Sequence, residues 1–274
     1  MLVDGGVVDL TDTGLPSDMA DLIRLGDVGL EAAEVAARAA PIPMEGIELH
    51  APLPRTPKNV MCVGRNYRDH AAEFSRSGFD ASERSVVPEH PVIFTKAATS
   101  IIGPEQPIVL ANDPTGTVDY EGELGVVIGR EGRRIPEAEA FGYVLGYTIV
   151  NDVTARDLQN RHVQWFIGKS PDTFCPMGPA IVTTGELPDI SASWLRTHVN
   201  GELRQEAPIS NLIFDIPSLI HTISETTLLE PGDVIATGTP AGAGIGFDPP
   251  RFLAPGDRVE VSVDGIGTLG NPVT

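Results

Sequence analysis

Glu121 and Glu123 stand two residues apart in the run DYEGELGVVIG, Asp119 to Gly129. Side chains of an extended strand alternate between its faces, so both carboxylates point to one side while Leu124, Val126 and Ile128 point to the other. This pattern predicts a strand with one buried face and, at its start, one acidic face. Two carboxylates held together disfavour each other's ionisation, and a divalent cation is the simplest counter-charge; a solvated sheet edge decorated with acids is the alternative. Asp152 ends the apolar run YVLGYTIVND. It would either complete a three-carboxylate ligand set or cap the helix that follows. No His or Cys competes at a suitable spacing, so the all-oxygen set favours Mg²⁺ or Mn²⁺ over zinc, with Ca²⁺ able to substitute.

The run GRNYRDHAAE, Gly64 to Glu73, reads as a strand-to-helix turn and a short helix with His70 and Glu73 one turn apart. At that spacing a carboxylate can orient an imidazole that takes a proton from water; an idle surface pair is the alternative. Arg156 and Gln159 follow Asp152 at i, i+3, and Lys169 ends WFIGK. These groups could grip a substrate carboxylate and stabilise an oxyanion or enolate, or else form surface ion pairs. The glycine-rich stretch GDVIATGTPAGAGIG, Gly232 to Gly246, lacks the Lys-Ser/Thr of a phosphate loop and the GxGxxG order of a dinucleotide fold. Its Thr237 to Pro240 core, Thr239 included, either presents hydroxyls and N–H groups to a carboxylate or makes a tight turn.

The elements that must position these groups are mostly strands. From Asn59 onward short β-rich runs alternate with Gly and Pro turns, and Asn200-Gly201 and Asp264-Gly265 mark hairpins. Strand–helix alternation is absent, which argues against a doubly wound parallel sheet. Residues 1–57 differ: a short strand pattern, a helix with Ser17 as its cap, an Ala-rich helix from Asp27, and a proline-rich connector ending at Pro57. The polar stretch Ser75 to His90 reads as a flap or a surface loop.

The chain has 274 residues, with 38 Asp+Glu against 19 Lys+Arg and a net charge of -19. Such a surface repels phosphate backbones and anionic lipid, so neither nucleic acid nor membrane is an expected partner, and a small anionic substrate must meet a local basic cluster. No targeting segment or membrane-length apolar run is visible, which makes the cytoplasm the expected compartment. Cys62 and Cys175 are far apart and read as free thiols, Cys62 within apolar packing.

Taken in order, GRNYRDHAAE, DYEGELGVVIG, GYTIVNDVTARDLQ, QWFIGKSPDTFCPMGP, VNGELRQ and PGDVIATGTPAGAGIG resemble the fumarylacetoacetate hydrolase family. The resemblance covers residues 58–274. It implies an α+β, predominantly β fold: a mixed β-sandwich roll as the catalytic domain, with residues 1–57 as a small α/β extension, assembled as a homodimer. It also implies Mg²⁺ or Mn²⁺ on Glu121, Glu123 and Asp152, a lid helix carrying His70 and Glu73, and Lys169 as an oxyanion group. Arg65, Tyr67, Arg156, Gln159 and Thr239 match substrate-binding positions. The family cleaves C–C bonds in acylpyruvates and diketo acids, decarboxylates or tautomerises oxaloacetate-like acids, and isomerises hydroxymuconate-type acids. Because His70 and Glu73 supply what water activation needs, the expected activity is hydrolysis of a small 2-oxo acid through an enolate. The alternatives are decarboxylation, tautomerisation or isomerisation, and, from another class, a non-catalytic metal-binding module.

Overall fold

A computed structural model describes residues 1–10, 13–79 and 87–274 of the chain. The first residues form a two-stranded antiparallel ribbon, β1 (Leu2–Val3) and β2 (Gly6–Val7), followed by α1 (Met19–Arg24) and α2 (Asp27–Ala36). The cap of α1 is Asp18, one residue beyond the expected Ser17; its carboxylate accepts the Asp21 N–H. Ala20 and Ile23 of α1 pack with Leu53, Val60 and Cys62, so this segment leans on the main sheet.

The remaining elements are β3 (Val60–Gly64), α3 (Arg68–Arg76), β4 (Val92–Lys96), β5 (Ile101–Ile102), β6 (Val118–Asp119), β7 (Gly122–Ile128), β8 (Val144–Asn151) and β9 (Thr154–Ala155). Beyond them come α4 (Arg156–Arg161), α5 (Phe166–Lys169), β10 (Cys175–Thr183), β11 (Trp194–Val199), β12 (Glu202–Pro208), α6 (Ile216–Ser224), β13 (Val234–Ala236), β14 (Arg258–Val263) and β15 (Gly267–Pro272). A seven-stranded mixed sheet runs β4-β3-β13-β7-β8-β10-β5, and a four-stranded antiparallel sheet runs β12-β11-β14-β15. Only the β13/β3 and β10/β5 pairs of the large sheet are parallel. The fold is thus the predominantly β, α+β roll that the sequence led us to expect.

The core lies between the sheets, where Leu124, Val126 and Ile149 meet Leu195, Val261 and Leu269. Each such side chain contributes roughly 1.5–3 kcal/mol on full burial. On the opposite face of the large sheet, Val127 and Val150 pack with Cys62, Cys175 and Met177. Every residue of β7 is therefore buried, the acidic face included, and the alternative of a solvated sheet edge falls away. The acids instead sit inside the protein.

The Asn200-Gly201 hairpin forms between β11 and β12, with φ of 52° and 78° as a type I′ turn requires. Cys62 and Cys175 are free and buried. Residues 80–86 of the expected flap lie outside the described residues. Among the described residues no helix is long and apolar enough to cross a membrane.

Candidate metal centre and proton-transfer site

Backbone pairing at the end of one hairpin brings the first two acids together. Gly122 stands opposite Asn151 in the antiparallel β7/β8 ladder, the Asp152 N–H donates to the Glu121 carbonyl at 2.8 Å, and the Glu121 N–H donates to Asn151 Oδ1 at 3.0 Å. Asp152 is thereby held beside Glu121 and caps no helix, since the N-terminal residue of α4's cap is Ala155. Strand parity then brings in Glu123. Carboxylate oxygens of Glu121, Glu123 and Asp152 all lie within 4.8 Å of one another, and all three residues are buried.

Three cations converge on this cluster. Lys169 Nζ stands 2.7 Å from Glu121 Oε2 and 2.7 Å from Asp152 Oδ2. Lys96 Nζ lies 2.8 Å from Asp152 Oδ1 and donates to the Val153 carbonyl at 2.9 Å and to the Lys169 carbonyl. Arg156 reaches Glu121 Oε1 at 2.6 Å while its Nε and Nη2 bind Asp119 Oδ2 at 2.9 and 2.8 Å. Asp119 is fixed in turn by the Gly244 and Ile245 N–H groups at 2.7 and 3.1 Å.

Glu123 is the acid left over. Among the described residues it has no ion-pair partner, and its Oε2 accepts only the Gly238 N–H, at 2.9 Å. Burial, with Asp152 and Glu121 nearby, pushes its carboxyl well above the usual range. Burial works against ionisation of Glu121 too, but Lys169, Arg156 and His70 hold it well below the usual range. Lys169 shows the mirror image: burial disfavours the ammonium, and Asp152 and Glu121 nonetheless raise its pKa. A converging all-oxygen donor set with one carboxylate lacking a counter-charge fits a hard divalent cation, which Glu121, Glu123 and Asp152 would hold.

Above the acids stands α3. His70 is 5 % exposed; its Nδ1 lies 3.0 Å from Glu73 Oε2, and its Nε2 faces Glu121 Oε1 at 3.9 Å. Glu73 as acceptor fixes the proton on Nδ1 and leaves Nε2 as the basic nitrogen, directed at the cluster. The other Glu73 oxygen accepts the Gly242 N–H at 2.9 Å. The imidazole, Glu121, Glu123, Lys169, Phe94 and Trp165 border one cavity whose free space is about 20 Å³. That is room for about one water.

The other expected site residues divide. Arg65, held at φ 58°, borders the cavity with its guanidinium carbon 5.2 Å from the Phe74 ring centroid. Gln159 borders it too, its Oε1 accepting from Arg156 Nη1 at 3.1 Å. Arg156 lines the cavity as well, with its guanidinium bound to Asp119 and Glu121. Thr239 Oγ1 braces the start of β7, donating to the Gly122 carbonyl at 2.9 Å and accepting from Gln205 Nε2 at 2.8 Å. Tyr67 borders a separate groove at the start of α3, and among the described residues its buried hydroxyl has no hydrogen-bond partner. Burial, reinforced by Glu123, raises that phenol's pKa.

Lys96 and Asp119 went unnoticed in the sequence. Lys96 ends the apolar run PVIFTK, the same signature that drew attention to Asp152. Asp119 opens the run that carries both glutamates and offered no separate signal.

The chain belongs to the fumarylacetoacetate hydrolase family: the family model "Fumarylacetoacetate (FAA) hydrolase C-terminal" matches residues 59–274. A curated relative, oxaloacetate tautomerase YisK of Bacillus subtilis (strain 168), is 45 % identical over 269 residues, covering 94 % of this chain and 87 % of that protein. A solved structure of a putative HpcE protein from Mycobacterium smegmatis superposes with a TM-score of 0.89 at 40 % identity, covering 100 % of this chain and 95 % of that one. The fumarylacetoacetate hydrolase of psychrophilic Exiguobacterium antarcticum gives a TM-score of 0.83 at 43 % identity, covering 97 % of this chain and 91 % of that one.

Proposed function

We propose that the protein is a metal-dependent tautomerase of small 2-oxo dicarboxylic acids of the oxaloacetate kind. The observation that carries this reading is His70: Nδ1 is tied to Glu73 and Nε2 faces Glu121 across the cavity. An imidazole so placed can move a proton between the carbon and oxygen positions of an enolisable acid. The similarity to an oxaloacetate tautomerase over 94 % of the chain supports the same choice. It shifts the balance from the hydrolysis expected from sequence toward what had been the alternative.

A divalent cation on Glu121, Glu123 and Asp152 would polarise the 2-oxo group and favour the enolate. His70 Nε2 accepts the proton that the substrate gives up at one end of the C–C–O unit and returns it at the other; no atom is gained or lost. Glu73 stabilises the imidazolium in between. The Lys169 ammonium, kept charged by two carboxylates, offsets charge developing on the substrate oxygen. Phe94 and Trp165 supply the apolar side of the cavity.

Hydrolysis of a C–C bond remains the second reading, favoured by one observation: the free space beside His70 suits a single water. Decay of the enol absorbance of oxaloacetate tests the first reading, and release of pyruvate from acylpyruvates tests the second. Enzyme-dependent enol decay without pyruvate release supports tautomerisation, whereas acylpyruvate cleavage with unchanged enol decay would replace it by hydrolysis.

A further inference from the structure

We propose that Gly246 is a positioning residue for the His70/Glu73 dyad: its missing Cβ leaves the space through which the Glu73 carboxylate joins His70 to the Gly242 N–H. The geometry is specific to one side chain. A Cβ built on Gly246 would lie 1.8 Å from Glu73 Oε1, 2.3 Å from its Cδ and 2.7 Å from its Cγ, and these are its three nearest atoms. None of these separations is tolerable, so Glu73 would have to leave.

Backbone conformation gives no competing reason for glycine here. Gly246 ends a short turn, its N–H bonded to the Ala243 carbonyl at 2.9 Å, and its φ is not in the left-handed region. Gly242 differs on both counts: its φ is 103°, and a Cβ there would meet the Arg204 carbonyl at 1.8 Å. Gly244 would collide with the Arg251 carbonyl and with Asp119. A methyl at Gly246 is therefore the one change in this glycine-rich turn that strikes the dyad and no backbone.

Glu73 holds two partners at once. Oε2 meets His70 Nδ1 at 3.0 Å and Oε1 meets the Gly242 N–H at 2.9 Å. Beside this contact Phe74 packs with Ala243 and Ile245 and meets Trp165 edge-on, with ring centroids 6.0 Å apart. Docking of α3 on the 242–246 turn and alignment of the base are thus a single event.

The inference rests on the proposed proton transfer, and its test separates the two. Wild-type protein, Gly246→Ala, Glu73→Ala and the double variant are compared by melting temperature, enol-oxaloacetate turnover and hydrogen exchange of amides 68–76. Gly246→Ala should melt as wild type does, exchange faster across α3, and lose about 10²-fold in kcat with a much smaller change in KM. In the Glu73→Ala background the same substitution should change nothing, because no carboxylate remains to strike. Additive losses in the double variant, wild-type exchange of α3 in Gly246→Ala, or unfolding by Gly246→Ala in both backgrounds would each overturn the proposal. Absence of turnover in wild-type protein would remove the functional reading, and the exchange measurement would still decide the role of Gly246.

Discussion

Replacing Lys169 by Met tests whether the ammonium holds the acidic cluster together when no cation is bound. Lys169 is 2 % exposed and bridges Glu121 and Asp152 at 2.7 Å each. Removing one partner of a buried ion pair costs about 3–5 kcal/mol. Here each carboxylate keeps a second cation, Arg156 at 2.6 Å for Glu121 and Lys96 at 2.8 Å for Asp152, so the expected loss is at the low end. A loss of about 3 kcal/mol lowers the melting temperature of a domain of this size by about 6–12 °C. Mg²⁺ or Mn²⁺ at 100 times the Kd of the variant restores about 2.7 kcal/mol to it, and the same concentration gives less in wild type, where the ammonium competes for the same oxygens. Thermal denaturation with chelator and with each metal reads both effects. A chelated Lys169→Met protein that melts within 1 °C of wild type, or equal metal-induced shifts in the two proteins, would refute this reasoning.

His70→Gln should lower turnover about 10²- to 10⁴-fold while substrate affinity changes far less; steady-state kinetics checks the split, and a purely affinity-driven loss would count against a base at this position. Glu123→Gln removes the one cluster carboxylate without an ion-pair partner among the described residues, so it should abolish metal-dependent stabilisation while leaving the chelated protein as stable as wild type or more so. The folded-state pKa of Glu123 is raised, so the folded protein binds this proton more tightly than the unfolded chain does. Chelated wild-type stability should then fall as pH rises above about 4.3, and melting curves against pH should flatten in the variant. Burial pushes the Cys175 thiol up to about 12 and the Cys62 thiol well above its usual value, so neither should react with a thiol-labelling disulfide reagent until the protein unfolds.

The acidic triad was legible because strand parity aligns Glu121 with Glu123 and because a polar residue ending an apolar run announces a strand delivering a ligand. His70 and Glu73 were legible from helical spacing, and α3 forms around them. What the carboxylates are paired with was not legible. Lys96 meets Asp152, and Arg156 meets Asp119, only through the closing of distant strands, and local pattern carries no information on such pairs. Arg156 illustrates this: spacing placed it beside Gln159, and both border the cavity, but its ion pairs with Asp119 and Glu121 had no local signal. The two-sided burial of β7 had a signal that went unused, because Val127 interrupts the alternation and a near-continuous apolar run marks a strand covered on both faces. Gly246 could not have been read at all, since its role depends on a side chain far away in sequence.

Enol-oxaloacetate, mixed with protein carrying Mg²⁺ or Mn²⁺ and followed by its enol absorbance, gives the most direct test of the proton-transfer site. The decay should accelerate in proportion to protein concentration, fall to the uncatalysed rate with chelator, and fall about 10²- to 10⁴-fold with His70→Gln, with no pyruvate or carbon dioxide formed. Enol decay at the uncatalysed rate with metal-loaded wild-type protein, alongside rapid cleavage of an acylpyruvate, would contradict tautomerisation and return the site to hydrolysis.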